Sequence, residues 1–212
     1  MDARTTSLSR TLRDSAWKLW TLVRRVFTFR KGVILLYRHK GKQELRLKDL
    51  PFEIRRVEYS NVEDALSLDS PPVIDLFRRF LEDGNKGYYA YMGNEVVHRS
   101  WVKFGPNSVE TWHCYAPFRL QPGQAVIHYC RTAVKARGRG IYPTVLSRIV
   151  DDCHEAGIKD IFTATALDNV ASQRGIEKAG FIEIERKSVK VFFGVPFYQL
   201  LFRLDCPLIS ME

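Results

Sequence analysis

Residues 125–142 read AVIHYCRTAVKARGRGIY, an apolar run that ends in a turn with two glycines and two arginines. The apolar run predicts a strand over 125–134, and the residues that follow the turn predict a helix over 142–156. A strand that passes through glycines into a helix N-terminus suits an anion, because the glycines allow close approach and free N–H groups of the first turn point at the ligand. The two arginines add charges that suit phosphate.

The turn matches neither of two common phosphate-binding motifs. No Gly-Lys-Ser/Thr follows it, so it is not a P-loop, and the three-glycine pattern of dinucleotide-binding folds is absent. Pro143 falls in the first helical turn, where a missing N–H costs nothing. On these residues alone, a plain basic turn between a strand and a helix is the alternative interpretation.

The segments around this turn predict an α+β (mixed α/β) fold. Strands are predicted by apolar runs and alternation at 33–39, 52–57, 88–92, 96–102, 109–115, 158–166, 181–191 and 197–204. Helices are predicted at 61–66, 72–81 and 170–178. Gly93-Asn94 between two strands favours a hairpin. Several antiparallel strands followed by strand–helix–strand–helix–strand favour this class over a doubly wound sheet.

Two blocks of the sequence resemble the GNAT superfamily of N-acetyltransferases. Its pyrophosphate-binding motif, Gln/Arg-x-x-Gly-x-Gly/Ala, is matched by 137–142 at the first and fourth positions, with Tyr142 in place of Gly or Ala at the sixth. Residues 169–181, NVASQRGIEKAGF, resemble the superfamily's Asn-x-x-Ser/Ala block that ends in Tyr-Glu-Lys-x-Gly-Phe. The resemblance covers residues 85–185 well, 52–84 weakly and 1–45 not at all.

The resemblance implies a GNAT-like splayed, mostly antiparallel sheet flanked by helices. It also implies an acyl-CoA-dependent N-acyltransferase, most simply an acetyltransferase, with acetyl-CoA or another acyl-CoA as co-substrate. The acyl group would pass by direct attack in a ternary complex to an amine, which we expect to belong to a small molecule or an amino sugar. The residues that the resemblance assigns to cofactor binding are Thr132, Val134, Arg137, Gly138, Arg139, Gly140, Ile141, Tyr142, Asn169 and Ser172.

The general acid of many superfamily members has no counterpart here. Ile176 occupies the position of their tyrosine, and isoleucine cannot protonate a leaving thiolate. Glu110, His113 and His128 lie on predicted strands near the turn and are the candidates for acid–base catalysis. Each of these histidines could instead be a hydrogen-bonded structural residue. A coenzyme A-binding regulatory module without catalysis is therefore an alternative to an enzyme.

The positive charge of the chain is confined to its beginning. Residues 1–42 hold eleven Lys/Arg and two acids, which accounts for the whole net charge of +9, whereas the remainder holds 22 of each sign. A neutral body argues against a nucleic-acid partner. The four cysteines (Cys114, Cys130, Cys153 and Cys206) lack the spacing of a metal site, so no metal is predicted and a reducing compartment is expected.

Residues 8–29 predict a basic amphipathic helix. Its apolar face is formed by residues at three- and four-residue intervals, namely Leu12, Ala16, Leu19, Trp20, Val23, Val26 and Phe27. Such a helix can lie on an anionic membrane surface, as in a membrane-recruited interaction protein, or pack on its own domain or on a second subunit in a homodimer. We predict a helix-and-strand extension over 1–43 and an acyltransferase domain over 44–212. No secretory signal or spanning run is found, which predicts a cytoplasmic protein, either free or peripheral at the inner face of the membrane.

Overall fold

A computed structural model of the chain describes residues 30–39, 41, 51–109, 118–192 and 195–204. Four predictions fall wholly or mostly outside these ranges: the helix over 8–29, the strand over 109–115, the roles of Glu110 and His113, and the domain boundary between residues 43 and 44.

Eight strands of the described chain form one sheet, in the spatial order β10-β9-β1-β8-β7-β4-β3-β2. They are β1 (Arg30–His39), β2 (Glu53–Val57), β3 (Lys86–Met92), β4 (Glu95–Phe104), β7 (Gln124–Thr132), β8 (Asp160–Ala166), β9 (Phe181–Phe192) and β10 (Val195–Arg203). A separate hairpin joins β5 (Asn107–Val109) to β6 (Phe118–Leu120). Neighbouring strands of the large sheet are antiparallel except β7 and β8, which are parallel. The mostly antiparallel α+β sheet expected from the sequence is confirmed.

The described helices are α1 (Pro71–Glu82), α2 (Ile141–Glu155) and α3 (Val170–Lys178), with short 3-10 helices at Val62–Ser67 and Val134–Ala136. Two prolines begin α1, where the first turn tolerates their missing N–H groups. Asn169 caps α3, since its side-chain oxygen accepts a hydrogen bond from the Ser172 N–H at 3.2 Å. No helix in the described ranges is both long and apolar enough to cross a membrane.

The neighbouring residues Tyr88 and Tyr89 of β3 show that the sheet is covered on both faces, because successive side chains of a strand point in opposite directions. Tyr88 packs in the core beneath α2, and Tyr89 packs in a second core beneath the first 3-10 helix and α1. The Tyr89 hydroxyl donates a hydrogen bond to the Val62 carbonyl at 3.1 Å, so this buried polar group is satisfied.

The first described strand, β1, takes an inner position in the sheet. It pairs antiparallel with β8 on one side and with β9 on the other. Leu35 and Tyr37 are buried in the same core as α2 and α3. Residues 30–39 of the predicted extension are therefore part of the central sheet.

A buried carboxylate joins α2 to the strands beneath it. Asp152 accepts hydrogen bonds from the Tyr88 hydroxyl at 2.8 Å, from Arg56 Nη2 at 2.8 Å and from Arg148 Nε at 2.9 Å. Burial acts to raise the pKa of Asp152, but these hydrogen bonds together hold that pKa below its usual value. The fold therefore stabilises the ionised carboxylate.

We expect Asp152→Asn to lower the free energy of unfolding at pH 7 by about 2 kcal/mol, because the three donors lose a charged acceptor. The folded-state pKa is lowered, so the carboxylate stabilises the protein above the ordinary pKa of aspartate. This contribution disappears as the pH falls through the folded-state pKa. Urea unfolding at neutral and acidic pH measures both effects. Asp151→Asn is the control, and an equal loss in that variant would contradict the assignment.

Candidate functional site

The parallel pair of β7 and β8 separates part of the way along. The Cα partners run from Gln124 and Asp160 to Ile127 and Thr163, while β7 continues to Thr132 and β8 to Ala166. Beyond Ile127 the two strands no longer share a ladder, so the sheet opens. The backbone edge of β7 that follows Ile127 is thereby left without β8 as a partner.

A β-bulge lies where the two strands part. Tyr129 has a φ of 52°, the one positive φ of a non-glycine residue among the described residues. The register between β4 and β7 shifts there, since Trp101 pairs with His128 whereas Arg99 pairs with Arg131. β7 therefore has one extra residue at this point, and a bulge of this kind bends the strand that carries it.

Buried polar contacts hold the bulge on the α1 face of the sheet. The Arg99 guanidinium donates a hydrogen bond to the Tyr129 carbonyl and forms an ion pair with Asp69, with Arg99 Nε 2.5 Å from Asp69 Oδ2. Arg131 Nη1 reaches the other oxygen of Asp69 at 2.8 Å. Residue Arg99 is only 5% exposed and Asp69 only 8%.

A second contact holds β7 on the opposite face. His98 is fully buried, with Nδ1 2.7 Å from Thr132 Oγ1 and Nε2 2.8 Å from Ser100 Oγ. Burial, and to a smaller extent the charge of Arg99, lowers the pKa of His98 to about 3. The imidazole is therefore neutral at physiological pH and links β4 to the end of β7 as a hydrogen-bonding group.

A cavity of about 490 Å³ lies between the end of β7, the glycine-rich turn and α3. This volume lies in the range of small-molecule sites. The lining residues are His98, Cys130, Arg131, Thr132, Ala136, Arg137, Gly138, Gly140, Ile141, Tyr142, Pro143, Asn169, Ala171, Ser172, Arg174, Gly175 and Lys178. Four of them are cationic and none is a carboxylate, so the described lining favours a ligand with several negative charges.

The turn that lines this cavity has the conformation that an anion site needs. Gly138 and Gly140 have φ values of 76° and 75°, a left-handed region that other residues rarely adopt. Gly140 is also the residue that precedes α2, so the first N–H groups of α2 come directly after it. Those N–H groups have no intrahelical acceptor and carry the positive end of the helix dipole.

The tyrosine at the sixth position of the turn motif packs against α3. The Tyr142 ring lies 5.6 Å from the His98 ring, and its hydroxyl is 3.5 Å from Ser172 Oγ. A Cβ atom at Gly175 would lie 2.5 Å from Tyr142 Cδ1. The large residue at position 142 is thus accommodated by the absence of a side chain at position 175.

Most of the residues that the sequence assigned to cofactor binding line one cavity. These are Thr132, Arg137, Gly138, Gly140, Ile141, Tyr142, Asn169 and Ser172. Val134 and Arg139 are exposed and lie outside the lining. Ile176 is fully buried in the core.

The acid–base candidate that the structure describes, His128, is also outside the cavity lining. Its ring packs edge-on against Phe80 of α1 at 5.1 Å, on the face of the sheet that carries Tyr129. Burial, followed by the charges of Lys103 and Arg99, lowers the pKa of His128 to about 4. Its catalytic role stays a prediction.

Sequence reasoning missed four residues of this region: Asp69, His98, Arg99 and Gly175. Gly175 carries the one usable signal, because a glycine inside a helix costs about 1 kcal/mol and calls for a packing reason. The other three lie outside both sequence blocks. The pairing of β4 with β7 brings His98 and Arg99 to the bulge, and Asp69 reaches it from the connection before α1 through its ion pairs with Arg99 and Arg131.

Two solved structures with a similar fold are described as members of the GNAT family. An acetyltransferase of this family from Colwellia psychrerythraea matches with a TM-score of 0.56 at 17% identity, over 78% of this chain and 57% of that chain. A second member, from Novosphingobium aromaticivorans, matches with a TM-score of 0.55 at 16% identity, over 75% and 63% of the two chains. A functionally unknown conserved protein from Staphylococcus epidermidis gives a TM-score of 0.53 at 13% identity, over 84% and 68%.

The similarity lies in the fold. No protein-family model matches the sequence, and neither does any curated protein. The chain spans less than two thirds of the length of the first two structures. It therefore has the GNAT fold, as the two sequence blocks predicted.

The contact between Tyr142 and Gly175 predicts that Gly175→Ala changes the stability in opposite directions in the wild type and in a Tyr142→Ala variant. Gly175→Ala should destabilise the wild type by about 1–3 kcal/mol, because the new Cβ meets the tyrosine ring. In a Tyr142→Ala background the same change should stabilise the protein by about 0.5–1 kcal/mol, since alanine is the better helix former. Denaturant unfolding of the four proteins measures this. An effect of the same sign in both backgrounds would contradict the packing described.

Proposed function

We propose that this chain, which has the GNAT fold, is an acyl-CoA-dependent N-acyltransferase, most simply an acetyltransferase. The observation that carries the proposal is the cavity at the separation of β7 from β8, where four cationic side chains and no carboxylate surround a glycine-rich helix N-terminus. Coenzyme A presents a diphosphate and a further phosphate at one end and a narrow neutral arm at the other. Its charges match the turn, and its arm suits a gap between strands.

The charged end of coenzyme A has a clear set of partners. The first N–H groups of α2, at Ile141 and Tyr142, and the Arg137 guanidinium would hold the diphosphate. Arg174 and Lys178, one turn apart on α3, would meet the remaining phosphate. The neutral arm would follow the free edge of β7 at Cys130 and Thr132.

The reaction is the attack of a neutral amine on the thioester carbonyl carbon. A C–N bond forms as the carbonyl becomes an oxyanion, the C–S bond then breaks, and the amine gives up its proton to a base or to water. Backbone N–H groups on the open edge of β7 would stabilise the oxyanion. A thiol has a pKa of about 8.5, so the thiolate can leave near neutral pH and take its proton from water, which removes the need for an acid at Ile176.

Direct transfer is favoured over a covalent acyl-enzyme at the cavity thiol. Cys130 lines the cavity, but burial raises the pKa of its thiol. A thiol with a raised pKa is a poor nucleophile because little thiolate forms. The acceptor would be an amine on a small molecule or an amino sugar, in keeping with a body that carries 22 basic and 22 acidic side chains after residue 42.

A coenzyme A-binding module without catalysis is the second candidate function. Two observations favour it: Ile176 is buried in the core, and the large Tyr142 lines the cavity at the sixth position of the turn motif. A coenzyme A release assay across a panel of amines separates the two candidates, since the module would bind acetyl-CoA without turnover.

Acetyl-CoA should raise the melting temperature of the wild type, and Gly138→Glu should abolish this rise. The substitution places a negative side chain at the phosphate turn. Gly157→Glu is the matched control, because Gly157 has a φ of 78° against 76° for Gly138, both positions are sterically open, and Gly157 is outside the cavity lining. Thermal shift with and without acetyl-CoA is the measurement. A wild type without a shift at saturating acetyl-CoA would remove the basis of the proposal.

If His128 is the general base, its contribution to the rate should appear at acidic pH. A base acts in its deprotonated form, so the rate should rise with pH through a pKa of about 4 and stay level above it. His128→Gln should remove this acidic limb of the pH–rate profile, whereas His154→Gln should keep it, because His154 is outside the cavity lining and packs against His39. A limb that survives in His128→Gln would assign proton transfer to another group.

A further inference from the structure

The bulge that opens the sheet is held by a side chain that does not reach the cavity. Arg99 Nη1 donates a hydrogen bond to the Tyr129 carbonyl. Its Nε and Nη2 donate to the two carboxylate oxygens of Asp69, at 2.5 and 3.1 Å. Asp69 belongs to the short connection between the first 3-10 helix and α1. A charge-assisted hydrogen bond in a buried site is stronger and more directional than a neutral one.

Aromatic rings fix the same guanidinium from its faces. Its central carbon lies 4.2 Å from the centre of the Tyr129 ring and 5.1 Å from that of Phe77. Arg99 therefore contacts both the carbonyl and the ring of Tyr129, the residue with the positive φ. The conformation of the bulge and the position of Arg99 depend on each other.

The bulge in turn determines where the cavity wall lies. Cys130, Arg131 and Thr132 follow it directly, and all three line the cavity. On the cavity face, His98 holds Thr132 at 2.7 Å. The wall is thus fixed at its end by His98 and at its beginning by Arg99, whose orientation depends on Asp69.

We propose that Asp69 and Arg99 are positioning residues for acyl transfer: they fix the Tyr129 peptide so that the edge of β7 at Cys130–Thr132 stays aligned with the thioester. The proposal rests on the proposed function. Neither residue lines the cavity, so both act through β7: Arg99 through the Tyr129 carbonyl, and Asp69 through Arg99 and through its ion pair with Arg131. The affinity for acyl-CoA comes mainly from the turn and the cations, and the alignment of the thioester affects the rate of transfer.

Two substitutions remove the contact in different ways. Asp69→Asn keeps the size of the side chain and removes the charge that orients Arg99. Arg99→Lys keeps the charge, but a single ammonium group cannot reproduce the fork that reaches both Asp69 and Tyr129. Asp152→Asn is the matched control, because Asp152 is also a buried carboxylate with two arginine partners and is outside the cavity lining.

Amide hydrogen exchange by NMR and steady-state kinetics test the proposal together. Asp69→Asn and Arg99→Lys should each accelerate exchange at residues 129–132 by about tenfold or more. They should lower kcat by about tenfold or more while the KM for acetyl-CoA stays within about twofold. Asp152→Asn should lower stability and leave both readouts unchanged. A merely structural role would lower stability in all three variants without this split between kcat and KM.

The possible failures are distinguishable. Unchanged exchange at 129–132 in both variants, or faster exchange with an unchanged kcat, overturns the positioning role. A wild type that binds acetyl-CoA by thermal shift yet releases no coenzyme A with any amine overturns the proposed function. In that case the exchange data still decide whether Asp69 and Arg99 hold the bulge.

Discussion

The separation of β7 from β8 after Ile127 is the constraint on which the site depends. A strand that leaves its neighbour exposes backbone polar groups, and these need another partner. The extra residue at Tyr129 lies where the two strands separate, and the buried Arg99 holds it through the Tyr129 carbonyl. The same strand then runs directly into the glycine-rich turn and α2, so the open edge and the helix N-terminus face one space. A ligand with a narrow neutral arm and an anionic end would suit both the open edge of β7 and the N-terminus of α2.

The departures of this chain from the superfamily pattern are linked by packing. Tyr142 is too large for a position that usually holds Gly or Ala, but its ring lies over a glycine of α3. Gly175 is unfavourable inside a helix by about 1 kcal/mol relative to alanine, so the two residues make sense only as a pair. Ile176, next to Gly175, faces the core and contributes apolar burial instead of a hydroxyl. Of these departures, Tyr142 therefore lies in the cavity lining, whereas Ile176 contributes to the core.

The predictable part of the site is the part that is continuous in sequence. Residues 125–142 contain a strand, a turn and a helix N-terminus in succession, so their relative positions follow from local rules. Asp69, His98 and Arg99 could not be assigned because their roles arise from contacts over long sequence distances: strand pairing for His98 and Arg99, and side-chain ion pairs for Asp69. The inner position of β1 has the same origin, since an apolar run predicts a strand but not its neighbours. Arg137 and Arg139 looked equivalent in the sequence, yet only Arg137 lines the cavity.

The electrostatics of the cavity arise from pairing elsewhere in the fold. After residue 42 the chain has 22 side chains of each charge, so its net charge gives no indication of an anion site. The structure shows carboxylates committed to ion pairs away from the cavity: Asp152 with Arg56 and Arg148, and Glu185 with Lys187 and Arg203. Asp69 differs from these carboxylates because it lies close to the cavity, next to the bulge, where it pairs with both Arg99 and Arg131. It offsets the charge of Arg131 beside the bulge, whereas Arg137, Arg174 and Lys178 line the cavity near the turn and α3 and form no ion pair with a described carboxylate. The four cavity cations are therefore unequal, because a neighbouring carboxylate balances the one on β7.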